Sequence, residues 1–274
     1  MILKKIQICV LAGAVSVAAL SCKKSERAPE QVQTEVSKQV LDKIEKLGFS
    51  SENVIARDGG YLVEGDILLT DENLKSDPNS PSLRIAQDEQ YRTTNLVTGL
   101  PRVITVSVSN LTTPYSQATD LAISRYNAQN LRITFQRVSS GGNINIIGFN
   151  EGPSGGYITL GSAGFPTSSG NPFNQIQMNT NEAAYGANPD VNYLASVLTH
   201  EMGHCIGFRH TDYMARQYSC GGKRKVNEGT AGVGAVLIPG TPSTPDAESW
   251  MLACSNGGNR LFNANDVIAL NYLY

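Results

Sequence analysis

The sequence predicts an α/β (α+β) protein. Its body is a twisted, mostly parallel sheet of five strands with helices packed on it. A loop-rich C-terminal subdomain follows and closes in a helix, and a small separate segment lies in front. Three observations carry this. Between residues 102 and 206 the runs follow the order strand, helix, four strands, helix, the kind of succession that lays helices on a sheet. Residues 211–247 lose periodicity and hold six glycines between Gly221 and Gly240. Charge changes near residue 90: residues 22–90 contain 9 basic and 14 acidic residues, and residues 91–274 contain 11 and 10.

The chain has 274 residues, 41% hydrophobic and 17% charged, with a formal net charge of -2. That length suits one good-sized domain with an additional segment. The apolar fraction excludes a disordered chain. The near-neutral balance gives no support for a nucleic-acid partner.

Taken in order, Lys4 and Lys5 precede a short apolar run over residues 6–20. A membrane span needs about 20 apolar residues, so residues 1–21 read as a cleaved export signal. Ser21-Cys22 followed by Lys23-Lys24-Ser25 resembles a bacterial lipoprotein box, with its leucine one position closer to the cysteine than usual. A lipid on Cys22 would tie the protein to a membrane. Residues 30–47 carry one helical stripe, Val32, Val36, Val40, Ile44 and Leu47, ended by Gly48. Two short apolar runs, 61–63 and 67–69, flank Glu64-Gly65-Asp66, and the proline-containing stretch 76–82 reads as a linker.

The five body strands are expected over 102–109, 132–138, 144–149, 157–160 and 175–178. Thr113-Pro114 starts a helix to about residue 129. A second helix is expected over 191–206. A last one is capped by Asn263, with Asp266 three residues on. Three cysteines, Cys205, Cys220 and Cys254, remain after the signal and Cys22. Three single pairings are open to them in an oxidising compartment, and Cys220–Cys254 is the favoured one.

The only three histidines are His200, His204 and His210, in HEMGHCIGFRH. Residues four apart share a helix face, so His200 and His204 aim at one point. Gly207 can end the helix in a left-handed conformation and let His210 swing back. Three nitrogens around Zn²⁺ leave one position for water, the mark of a catalytic site. Glu201 would take a proton from that water. The bland reading, a polar helix face, requires a pattern whose chance probability is about 10⁻⁶.

HExxHxxGxxH is the signature of the metzincin clan of zinc endopeptidases, which this sequence resembles. The closer likeness is to the bacterial dual-action HEIGH metallopeptidases, through HEMGH, residues 210–213, the 238–242 loop and the final helix. The resemblance implies a metzincin-like fold with 191–206 as the active-site helix, one catalytic zinc, and a protein or peptide substrate. It implies that Met251 lies beneath the metal in a Met-turn. It implies that an extended substrate pairs with the edge strand Tyr157, Ile158, Thr159 and Leu160. Astacin-like members carry Glu after the third histidine and Tyr two residues beyond the methionine; here those positions are Thr211 and Ala253. Lys223-Arg224-Lys225 reads as a solvated basic run, the alternative being contact with acidic substrate side chains. Calcium is left open and a monomer is expected.

The resemblance also makes residues 22–90 a lipidated pro-segment and linker, and 91–274 the catalytic domain. Val63-Glu64-Gly65-Asp66 is similar to a Phe-x-Gly-Asp motif whose aspartate blocks zinc in astacin-type zymogens. Asp66 is therefore the candidate latency switch, and cleavage after it would release an extracellular enzyme. The rival function is a non-proteolytic zinc-containing surface lipoprotein, a binding or adhesion module. An intact Glu201 argues against it.

Overall fold

The computed structural model describes residues 35–57, 59–75, 90–154, 156–222, 227–228, 234–242 and 246–274. The signal, Cys22, the 76–82 linker and Lys223-Arg224-Lys225 lie outside them. All described residues belong to one unit, Thr34–Tyr274.

In the front segment, helix α1 (Lys38–Lys46) starts at Ser37, whose hydroxyl accepts from the Val40 N–H. Gly48, just beyond its end, has φ 84°. Strands β1 (Ile55–Arg57), β2 (Gly60–Val63) and β3 (Ile67–Thr70) form an antiparallel meander. The β2–β3 turn is Glu64-Gly65-Asp66, with Glu64 at φ 56° and Gly65 at φ 90°. A non-glycine residue in that region is uncommon and directs attention to the turn. A 3₁₀ turn, Asn73–Lys75, closes the segment.

The body continues with β4 (Tyr91–Arg92), β5 (Arg102–Val108), α2 (Thr113–Asn127), β6 (Ile133–Arg137), β7 (Ile144–Phe149), β8 (Gly161–Ala163) and β9 (Gln175–Asn179). Helices α3 (Glu182–Tyr185), α4 (Val191–Ile206) and α5 (Gln217–Cys220), strand β10 (Val236–Leu237) and helix α6 (Ala264–Leu273) complete it. Asp190 caps α4 through the Tyr193 N–H, and Asn263 and Asp266 form a reciprocal capping box on α6. Among the described residues no helix is long and apolar enough to cross a membrane.

The expected five-stranded, mostly parallel sheet is corrected. The main sheet has eight strands in the order β1-β2-β3-β8-β9-β7-β5-β6, and β10-β4 form a second, two-stranded sheet. The main sheet is mixed. Pairs β5–β6, β5–β7, β7–β9 and β3–β8 are parallel; β1–β2, β2–β3 and β8–β9 are antiparallel. The three additional strands come from the front segment, which the charge change had set apart from the body. They add to the edge of β8, where the Ala163 N–H donates to Asp66 O at 3.0 Å.

The β8 strand itself also moves. Pairing falls on Gly161–Ala163, while in the expected run 157–160 Tyr157 bridges only Ser154. Propensity favours Tyr, Ile and Thr over Gly-Ser-Ala. Packing overrides it, because a Cβ on Gly161 would come within 2.9 Å of Glu201 Oε1 and 3.1 Å of Met178 Sδ. Only a bare backbone lets α4 approach the sheet there.

Helices α2 and α4 pack over the sheet. Tyr126 of α2 is buried at their junction; its hydroxyl donates to Thr199 O at 2.8 Å, and its ring meets Phe135, Trp250 and Phe262. Such aromatic contacts add about 0.5–1.5 kcal/mol each beyond area burial. They fix the face of α4 that carries the histidines.

Candidate active site

Helix α4 presents His200 and His204 one turn apart. It ends at Gly207, whose φ of 109° reverses the chain through Phe208 and Arg209 to His210. Two backbone links pin this return: Thr93 N–H to Gly207 O at 2.7 Å and Arg209 N–H to Tyr91 O at 2.9 Å. The three imidazoles face one another, with ring centres 4.7 to 5.2 Å apart. His204 Nε2 and His210 Nε2 are 3.2 Å apart.

The fourth member comes from the front segment. Asp66 Oδ2 lies 3.1 Å from His210 Nε2 and 3.7 Å from His200 Nε2. One ligand atom from each of Asp66, His200, His204 and His210 falls within 4.8 Å of the others. The residues fit a metal ion by two tests. Each imidazole has its Nδ1 beside an acceptor: Trp250 O at 3.0 Å for His200, Phe208 O at 2.9 Å for His204, and Glu228 Oε1 at 2.7 Å for His210. An Nδ1–H donated outward leaves the Nε2 lone pair free for a metal. In addition, His200 Nε2, Asp66 Oδ1 and Glu201 Oε2 are buried without a hydrogen-bond partner. Three nitrogens and one carboxylate suit tetrahedral zinc.

The electrostatics agree. Burial works against charge on His210, but Asp66 and Glu228 lift its pKa to about 10. The same two carboxylates favour a cation at its Nε2. Burial, with His200 and His210 beside it, holds His204 well below its usual range, in the neutral form that ligates. Burial opposes charge on Asp66 too, yet His210 beside it keeps its carboxyl well below the usual range. Glu201 is buried over β8; burial and then Asp66 push its pKa well up.

The chain after residue 246 packs against α4. Met251 is buried. Gly203 permits its approach to α4: a Cβ there would run into the Trp250 ring and come within 2.7 Å of Met251 Sδ. Asp266 organises this turn by accepting from Trp250 N–H, Ser249 Oγ and Gln90 Nε2. Asp212 accepts from Ala253 N–H and from Ser219, and Cys220 and Cys254 form a disulfide beside it. Cys205 is a buried free thiol.

Sequence reading missed the support around His210. Glu228 is fully buried, 3.5 Å from Arg209 Nη2 and 3.2 Å from Arg216 Nη1. Arg216 also reaches Glu64 Oε2 at 3.5 Å. Burial and Glu228 lift Glu64 to about 7, while the Ser50 N–H, Arg216 and His210 pull it down. The available signal was an acidic residue inside a glycine-rich loop of a sparsely charged body.

This donor set, with a carboxylate following the first histidine on one helix, defines a zinc peptidase. No match was found among curated proteins. The family profile described as dual-action HEIGH metallo-peptidase matches residues 61–274, and the chain belongs to that family, M57. It is a zinc-dependent endopeptidase acting on protein or peptide substrates. Two solved structures, titled "Structure of myroilysin" and "Crystal structure of myroilysin", are similar at 15% identity each, with TM-scores of 0.42 and 0.39. The matches cover 66% and 76% of this chain, and 96% and 98% of theirs.

Proposed function

We propose that this endopeptidase is exported and made latent, with Asp66 as its latch and Glu201 as its general base. The observation that carries the reading is the Asp66 carboxylate, whose Oδ2 lies 3.1 Å from His210 Nε2 and 3.7 Å from His200 Nε2, among the atoms that would hold the zinc. Export is supported by the basic and apolar start of the chain and by the Cys220–Cys254 disulfide, which suits an oxidising compartment. A lipid on Cys22 would anchor the front segment. Cutting between residues 76 and 90 would then free residues 91–274 as the catalytic domain.

Zinc, when bound, supplies a Lewis acid that polarises the scissile carbonyl and brings the pKa of water toward neutrality. His200, His204 and His210 hold it, and Met251 forms the apolar floor. Glu201 accepts the water proton as the new C–O bond forms, then passes it to the amine as the C–N bond breaks. The edge of β8 that β3 covers, continued by 157–160, is the strand to which an extended substrate adds.

The test uses the full chain carrying Asp66→Ala, left uncut, with casein as substrate. It should cleave at least about tenfold faster than the uncut wild type. An uncut variant as silent as wild type, with zinc bound, sinks the latch. Glu201→Gln in the processed protein should lower kcat by about 10²–10⁴ while zinc content stays unchanged.

A further inference from the structure

We propose that Arg216 is a carboxylate-binding residue of the substrate cleft, so that the processed protein favours substrates with Asp or Glu beside the scissile bond. The inference rests on the reading of Asp66 as a latch, because it takes the front segment as a stand-in for substrate.

Glu64-Gly65-Asp66 is one turn passing through the site. Asp66 reaches the histidines, and Glu64, two residues away, reaches Arg216. The Glu64 side chain is 2% exposed and that of Arg216 is 17% exposed. A Cβ on Gly65 would lie 3.3 Å from Arg216 Nη2, so the guanidinium runs alongside the chain that fills the cleft. Glu64 has one other anchor, the Ser50 N–H at 2.7 Å, which belongs to the front segment itself. Among the described residues, the body side chain that pairs with its carboxylate is Arg216.

The count of charges in the body makes this a subsite. Among the described residues, Glu228 is the body carboxylate within ion-pair distance of Arg216, and it is shared with His210 and Arg209. The nearby Asp212 is engaged by Ala253 N–H and Ser219. Two guanidiniums thus meet one body carboxylate, and the front segment supplies a second. When that segment leaves, Glu228 keeps Arg216 in place and the face that held Glu64 opens to the cleft. A guanidinium fixed in advance recognises a carboxylate with little ordering cost.

The experiment uses the full chain processed by limited proteolysis within residues 76–90. Its substrates are quenched fluorescent peptides paired as Glu against Gln at each position flanking the cut. Wild type should show about a tenfold or greater kcat/KM advantage for Glu at one position. The advantage should lie mainly in KM. Arg216→Gln should reduce it to less than about twofold, and Arg216→Lys should keep part of it, with melting curves checking that each variant is folded. Equal use of Glu and Gln peptides by wild type overturns the proposal, and so does a preference that survives Arg216→Gln.

A second readout separates the two ideas. A synthetic peptide covering residues 60–70 should inhibit the processed protein, and its Glu64→Gln form should inhibit about tenfold less well. Equal inhibition by both peptides counts against Arg216. Inhibition by neither, with equal cleavage before and after processing, removes the latch and leaves the Glu/Gln ratio to decide Arg216 alone.

Discussion

The two halves of the zinc site are held in different ways. His200 and His204 stand on one helix, and their Nδ1 atoms meet backbone carbonyls, those of Trp250 and Phe208. His210 stands on a loop, and its Nδ1 meets a side chain, Glu228, which two arginines hold in turn. A carbonyl oxygen is present whatever residue occupies the position. A carboxylate can be lost by one substitution. The helical half is therefore robust and readable in sequence, and the loop half is open to adjustment.

The largest expected effect breaks the loop half. Glu228→Ala leaves Arg209, which is fully buried, without its carboxylate, and should cost about 3–5 kcal/mol in urea denaturation. The milder Glu228→Gln should weaken zinc binding by about 10–100-fold in chelator competition. A loss below about 1 kcal/mol for Glu228→Ala would put both halves on an equal footing.

Next, replacing both Cys220 and Cys254 by serine opens a loop of sequence separation 34. Chain entropy gives about 3–4 kcal/mol for this. Hydrogen exchange should quicken over 211–222 and stay slow in α4, and equal quickening in both would erase the contrast.

In the helical half, Gly203→Ala offers a test of sign. Helix propensity alone predicts a gain of about 1 kcal/mol. The contact with Trp250 and Met251 predicts a loss of about 1–3 kcal/mol instead. A higher melting temperature would show that the close approach does not matter. The smallest effect is Asn263→Ala, about 1 kcal/mol through the lost cap of α6.

Legibility followed sequence distance. HEMGHCIGFRH is contiguous, so helical period and one glycine suffice to converge three histidines. The capping box of α6 is likewise local. The eight-stranded sheet was not legible, because β3 joins β8 across nearly a hundred residues and only Ile67 and Ala163 register the pair. Nor was β8 legible, since Gly161-Ser162-Ala163 is chosen by what lies over it rather than by propensity. Glu228 and Arg216 act across a loop without periodicity, where spacing carries no information. Asp66 was suggested by a resemblance, and its approach to His210 is a tertiary fact that no local pattern contains.

The front segment's apolar core has a mechanical consequence. It consists of Ile44, Leu47, Phe49, Val63, Ile67, Leu69 and Leu74, with Phe165 the single contribution from the body. Val40, Val54 and Tyr61, which pack around it, are front-segment residues as well. The segment thus carries its own oil drop and, among the described residues, meets its host through Phe165, the strand edge, ion pairs, and the stacking of Arg57 on Phe149 and of Arg209 on Phe49. Under the proposed release, the apolar core lost from the body side would be Phe165, roughly 1.5–3 kcal/mol of burial, and the packing of α2 on α4 would not be involved. On the proposed reading such a part would be a removable plug rather than a wedge: taking it out would not require the machine around it to come apart.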